Sequence, residues 1–333
     1  MSSKAVAVCL AGLIVALILP AAYAQGGPPN LGTAQIGETD TRWFVDVRVR
    51  STANSDLSWW DNSTLSLGFT SPINEKTEFG LMYSGFGQES GYVVAGAVGA
   101  ASDGGYGSSD RKVISPAVKR IISGPSAKAA VSVSIGADVA LTEATLGSAG
   151  HSGGGGNGGG GNGGGGGSTY STYYHSRRAY QNTFTPAAKL QIEWGKPGHT
   201  QWQLASQIAF WSPRLDSGSS YTNDVDSERY RRQYGFGTVV GIGGGLSAPF
   251  GKNLTLGADA MGIIKGHNLF EEWRGRPSNT LVWSAGGKWA FGGNASSILN
   301  LYATNSMGPT LGSSIIVAPD NELGFGVGYS RVF

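Results

Sequence analysis

Cysteine is almost absent: the 333 residues hold one, Cys9. It lies in an apolar run from Ala5 to Leu19 that follows Lys4 and precedes Pro20 and the small-residue pattern Ala22-Tyr23-Ala24, the three-part layout of a secretory leader. Cleavage after Ala24 is expected to leave a chain beginning at Gln25, with no disulfide, no thiol nucleophile and no cysteine metal site. That run is shorter than the roughly 20 residues a membrane helix needs, and no later stretch is long enough, so a helical route across a bilayer is excluded. Histidine is scarce too. His151, His175, His199 and His267 all fall in expected loops or turns, and none pairs with another at helical metal-ligand spacing. There is no phosphate-cradling Gly-x-x-x-x-Gly-Lys, and the pair His175-Ser176 stands outside any longer hydrolase motif. The chain is therefore expected to be no enzyme and to carry no cofactor or metal. Charged residues make up only 14%, spread along the chain to a net +2, too little to argue for nucleic acid.

What is present is alternation. From Leu323 to Phe333 the odd positions read Leu, Phe, Val, Tyr, Arg, Phe and the even positions Gly, Gly, Gly, Ser, Val, two sets that only a strand places on opposite faces. Period-2 segments recur upstream in pairs joined by short turns. Leu65, Leu67 and Phe69 lead through Ser71–Lys76 to Phe79, Leu81 and Tyr83. A strand near Val113 to Ile122 leads through Gly124-Pro125 to the set Val131, Val133, Ile135, Ala137 and Val139. Leu190, Ile192 and Trp194 lead through Gly195–Gly198 to Trp202, Leu204, Ile208 and Phe210. Val240, Ile242 and Leu246 lead through Pro249–Asn253 to Leu254, Leu256 and Ala258. Leu281, Trp283, Trp289 and Phe291 lead through Gly292–Asn294 to Leu299, Leu301 and Ala303. With Trp43, Val45, Val47 and Val49 at the front, the expected strand count is twelve.

Five tight turns alternate with long connections at 87–111, 142–182, 211–234, 265–278 and 306–322. Short periplasmic turns, long extracellular loops and an even strand number describe an all-β, antiparallel transmembrane β-barrel with both termini in the periplasm. A soluble β-sandwich would also alternate. It would not require Trp43, Trp194, Trp202, Phe210, Phe291, Tyr329 and Phe333 near strand ends, where a membrane barrel places its aromatic girdles. The terminal strand, with alternating hydrophobics, Tyr329 and a final Phe333, resembles the closing strand of bacterial outer-membrane β-barrel proteins. The resemblance implies an outer-membrane location and engagement of Phe333 by the barrel assembly machinery.

The expected layout is thus a leader at 1–24, an N-terminal segment at 25–40 and a barrel over 41–333. The segment, carrying Pro28-Pro29, either hangs in the periplasm or folds into the lumen as a partial plug. The outer loop at about 142–182 contains a glycine run, 153–167, broken only by Asn157 and Asn162, which reads as a tether with maximal backbone freedom.

The alternation turns Asp46, Arg48, Arg50, Glu78, Asp138, Lys189, Glu193, Asp259 and Lys288 inward, together with hydroxyls and amides, so that the inner face reads as polar throughout. These charges nearly balance. They are either struts that pair with one another or rows along a hydrated path. Glycines such as Gly241, Gly286 and Gly326 on the same face leave room for water, solute or an inserted segment. In the outer loops Arg177, Arg178, Arg229, Arg231, Arg232, Arg274 and Arg276 are interleaved with tyrosines. Their planar forks suit outer-leaflet lipid phosphates, lipopolysaccharide included, while nearby Asp and Glu offer internal ion pairs instead. Three functions follow in order: a porin-like channel for passive or weakly selective diffusion of small solutes, a barrel-anchored surface-interaction protein, and an outer-membrane enzyme.

Overall fold

The computed structural model describes residues 41–50, 63–88, 107–123, 129–151, 172–195, 199–211, 236–271, 276–291, 297–317 and 323–332. The leader, the segment 25–40, the glycine run, Arg229, Arg231, Arg232, Arg274 and Phe333 lie outside the described residues.

The strands are β1 (Arg42–Arg50), β2 (Ser63–Asn74), β3 (Thr77–Gln88), β4 (Gly107–Ser123), β5 (Ala130–His151), β6 (Thr172–Trp194) and β7 (Gln201–Phe210), followed by β8 (Thr238–Phe250) and β9 (Leu254–Lys265). Two three-residue strands, β10 (Leu269–Glu271) and β11 (Arg276–Ser278), then form a hairpin, and β12 (Val282–Phe291), β13 (Ser297–Thr304) and β14 (Gly324–Val332) complete the chain. Twelve of these close into one antiparallel barrel in which every strand pairs with its sequence neighbour and β14 returns to β1. The β10–β11 pair stands apart as its own small sheet, a hairpin within what the alternation left as an outer loop.

Closure is what lets this sequence cross a bilayer, because each backbone N–H and C=O in hydrocarbon must find a partner and a barrel has no edge. At the β1–β14 seam the register runs unbroken from Arg42 opposite Val332 to Arg50 opposite Gly324. Tight turns hold the short end together. Between β2 and β3, Asn74 Oδ1 accepts a hydrogen bond from the Lys76 amide at 3.0 Å. Between β8 and β9, Gly251 adopts a φ of 77°, a left-handed conformation that only glycine takes without strain.

The outward side chains form a continuous apolar surface that includes Leu67, Leu81, Ile114, Ile135, Phe184, Leu204, Ile242, Leu256, Leu301 and Val327. On β4 this surface is bounded by outward Lys112 and Arg120, eight residues apart, or about 27 Å along a strand, close to the apolar band such barrels present to lipid. At its short-turn edge Trp43, Tyr329, Phe291 and Trp289 make a chain of ring contacts with centroids 5.5, 6.2 and 6.1 Å apart, one arc of an interfacial girdle. The protein is a closed β-barrel with the apolar belt of one that crosses a membrane.

β5 and β6 continue past the expected strand ends near Thr142 and Asn182. They pair without interruption from Ala130 opposite Glu193 to His151 opposite Thr172, so the connection between them shortens to residues 152–171. Pairing of β6 with β7 starts only at Ala187, and the upper part of this hairpin rises beyond that strand.

Candidate functional site

The lumen has two halves of different chemistry. Alternation points Val113, Ala140, Ala187, Ala209 and Val239 inward near the long-loop end, and they join Trp211 and Phe236 in one buried apolar cluster. The expectation of an inner face polar throughout is therefore corrected. It holds near the middle and the short-turn end, while the outer half is lined by apolar side chains, many of them small.

The filling of that outer half comes from the connection between β13 and β14. Residues 305–317, expected to belong to an external loop, fold back into the barrel, where Met307, Ile315 and Ile316 pack into the apolar cluster and are at most 1% exposed. The segment is a compact hairpin of its own. Met307 N donates to the Ile316 carbonyl at 2.8 Å, Ser306 pairs with Val317, and the tip is closed where the Thr310 amide donates to Ser313 Oγ at 3.1 Å.

Polar side chains on the barrel wall and on the connections that adjoin it hold this segment by its backbone and its hydroxyls. Trp211 Nε1 donates to the Gly312 carbonyl at 3.2 Å, and Gln207 Nε2 donates to Ser314 Oγ at 2.9 Å and to the Leu311 carbonyl. Asn268 Nδ2 donates to the Ile315 carbonyl at 3.3 Å, while the Val317 amide donates to the Asn268 carbonyl at 2.9 Å. Asp138 accepts from Ser115 Oγ at 2.6 Å with one carboxylate oxygen and from Thr310 Oγ1 with the other, tying wall to tip. Gly312 lies against the same carboxylate, where a Cβ would come within 2.5 Å of Oδ2, so the tip approaches as closely as it does only because that residue has no side chain.

Asp46 and Arg48, both fully buried, form the second fixed point. Tyr302 Oη lies 2.7 Å from each Asp46 carboxylate oxygen and donates there, while Arg48 Nη2 donates to Tyr302 Oη at 3.1 Å. Arg48 Nη1 reaches the Ser306 carbonyl at 2.7 Å, so the same cluster anchors the base of the inserted segment. A buried carboxylate and guanidinium are tolerable only with hydrogen-bond partners, and the phenol and the Ser306 carbonyl supply several of them.

Toward the short-turn end the remaining charges are more open. Lys119 Nζ is 3.2 Å from Glu78 Oε2. Lys189 of β6 is drawn electrostatically to Asp259 of β9, and Lys288 of β12 to Glu193 and Asp259, while Arg42 of β1 repels Lys288. Lys189 and Asp259, and Lys288 and Glu193, sit on strands that are not neighbours in the sheet, whereas Lys288 and Asp259 sit on the adjacent strands β12 and β9. Arg50 continues the inward register of β1, with its side chain outside the described set; Arg177, Arg178 and Arg276 lie on β6 and β11 with side chains likewise not described. Below the inserted segment a cavity of about 170 Å³ remains, walled by β1 to β6 and roofed by Pro309, Thr310, Leu311 and Ser314. Among the described residues no group of three or more His, Cys, Asp or Glu could hold a metal ion.

No protein-family model matches the sequence, and no curated protein sequence does. Solved structures do resemble the barrel. The β domain of the Bordetella autotransporter BrkA aligns with a TM-score of 0.47 at 12% identity, over 89% of this chain and 100% of that one. The KdgM porin aligns at 0.38 and 9% identity over 87% and 99%. Outer membrane phospholipase A from Escherichia coli aligns at 0.38 and 10% identity over 88% and 90%. Their activities differ from one another, and none is carried over to this chain.

The inserted segment is the feature that alternation could not find, since it belongs to no strand. Its signal was compositional: Asn305 to Pro319 contains no charged residue and includes Ile315-Ile316-Val317, which is poor material for a water-exposed loop.

Proposed function

We propose that the barrel is an outer-membrane channel for small solutes, closed in its outer half by residues 305–317 and conducting when that segment is displaced. One observation carries the reading. Many of the wall side chains around the segment are small, Ala140, Ala187, Ala209 and Gly241 among them, so much of the closing material belongs to a separable hairpin, with Trp211 and Phe236 beside it. A twelve-strand cylinder lined this way is wide enough for a narrow bore once the hairpin leaves. In this reading Asp46, Arg48 and Asp138 hold the wall and the hairpin in place. Glu78, Lys189, Glu193, Asp259 and Lys288 border the path beneath, with Arg50 continuing their row toward the outer rim.

Planar-bilayer recording of the refolded protein tests this. Replacing Pro309–Ser313 by two glycines is expected to turn rare, brief openings into long-lived steps of larger unit conductance. Silence of both proteins, with the barrel folded, overturns the channel reading.

A second reading has its own observation. Past the last β4–β5 pair, Gly107 opposite Leu146, the β5–β6 hairpin still pairs from Gly147 opposite Ser176 to His151 opposite Thr172, five residue pairs or about 17 Å of strand. Such a projection suits a barrel-anchored surface-interaction protein, for which Arg177, Arg178 and Arg276 on or beside the outer hairpins are the candidate partners of lipopolysaccharide phosphates. Engagement of Phe333 by the barrel assembly machinery belongs to either reading, and loss of membrane insertion on deleting Phe333 is the result expected of it.

A further inference from the structure

The chamber below the inserted segment has a chemistry of its own. Its lining includes three cations, Arg42, Lys119 and Lys189, and one carboxylate, Glu78. The 3.2 Å bridge between Lys119 and Glu78 sets one charge of each sign against the other, so the balance among lining residues is positive. Other charged groups border the same region. Lys189 is attracted to Asp259, and Lys288, which Glu193 and Asp259 attract, repels Arg42. An anion placed by Arg42 and Lys189 would meet two cationic side chains and relieve the repulsion between Arg42 and Lys288.

The rest of the lining is not polar. Phe44, Met82, Pro309 and Leu311 give the chamber an apolar wall and roof. Its volume of about 170 Å³ compares with the roughly 150 Å³ cavity that holds a benzene molecule. A few placed charges on an otherwise apolar wall are the usual form of a small-molecule site.

We propose that this chamber is a binding site for a small organic anion, a carboxylate-type headgroup on an apolar body of about ring size, reached from the short-turn end of the barrel. The headgroup lies toward Arg42 and Lys189, and the body lies against Phe44, Met82 and the Leu311 roof. The inference gives the proposed channel a solute class and rests on that reading for onward passage, whereas binding itself does not require conduction.

Calorimetric titration of the refolded barrel with sodium benzoate, benzylamine and benzyl alcohol tests it. Benzoate is expected to bind saturably, with benzylamine at least tenfold weaker and benzyl alcohol between them. Lys189→Gln should weaken benzoate at least fivefold, Lys189→Arg should keep it within twofold, and Met82→Trp, which fills the chamber, should abolish it. If Lys189→Gln does not fold, Met82→Trp and the comparison of the three probes still decide. Absence of saturable benzoate binding, equal binding of benzylamine, or benzoate binding unchanged by Met82→Trp overturns the proposal. Benzoate binding in a protein that never conducts removes the channel reading and leaves the site standing; conduction without benzoate binding does the reverse.

Discussion

At the scale of single residues, the interior depends on contacts that one atom can upset. Tyr302 reaches Asp46 and Arg48 by lying across Gly326 on the adjacent strand, where a Cβ would overlap its ring. Gly326→Ala is expected to destabilise the barrel by about 1–3 kcal/mol through overpacking, read by reversible urea unfolding in lipid vesicles. Pairing it with Tyr302→Ala should not add the two costs, because the clash vanishes with the ring. Additive losses would show that ring and glycine do not share that space. Tyr302→Phe removes only the hydroxyl and leaves a buried carboxylate and guanidinium short of a bond, which should cost about 1–3 kcal/mol in the same assay. The sequence made the inward direction of Asp46 and Arg48 legible, since a period of two fixes the face. It gave no view of Tyr302 as their partner, because that contact joins residues 254 and 256 positions apart and depends on closure of the seam.

At the scale of elements, the inserted hairpin is held by polar bonds at its tip and, at its base, by apolar packing together with bonds to Arg48 and Asn268. Asp138→Ala takes the acceptor from both Thr310 and Ser115. A tip released in this way should expose Ile316, now fully buried, more often. Ile316→Cys adds a thiol to a chain whose own cysteine is Cys9, in the expected leader. It should react slowly with a membrane-impermeant maleimide, and about tenfold faster with Asp138→Ala in the same chain, equivalent to a loss of about 1.4 kcal/mol of closure. Equal labelling rates would mean that the Asp138 contacts contribute nothing to closure. Strands were the elements most readable beforehand, because alternation and turn residues both report on them. The strand near Val113 to Ile122 was readable even through the break at Pro116. This hairpin was not, nor was β10–β11, because both are too short to show a period, and the inserted hairpin is marked only by the uncharged run Asn305 to Pro319.

At the scale of the whole molecule, two solvents act on one cylinder, and the register decides which side chain meets which. Leu81 faces outward in the middle of the belt that Lys112 and Arg120 bound on the neighbouring strand, and its own neighbour Met82 is buried in the lumen. Shifting β3 by one residue would exchange those two environments, and closure on both sides forbids it. Leu81→Arg should therefore cost about 2–4 kcal/mol, the depth-dependent penalty for a cation at the bilayer midplane, whereas Ile122→Arg, beyond Arg120 at the short-turn margin, should cost about 0–1 kcal/mol. Unfolding from vesicles of the two variants measures the difference. In detergent micelles, whose apolar thickness adapts, the gap should narrow. A soluble barrel that merely exposed apolar residues would gain from Leu81→Arg, or at worst stay indifferent. The sign of that one change thus separates hydrocarbon from water as the medium around this cylinder.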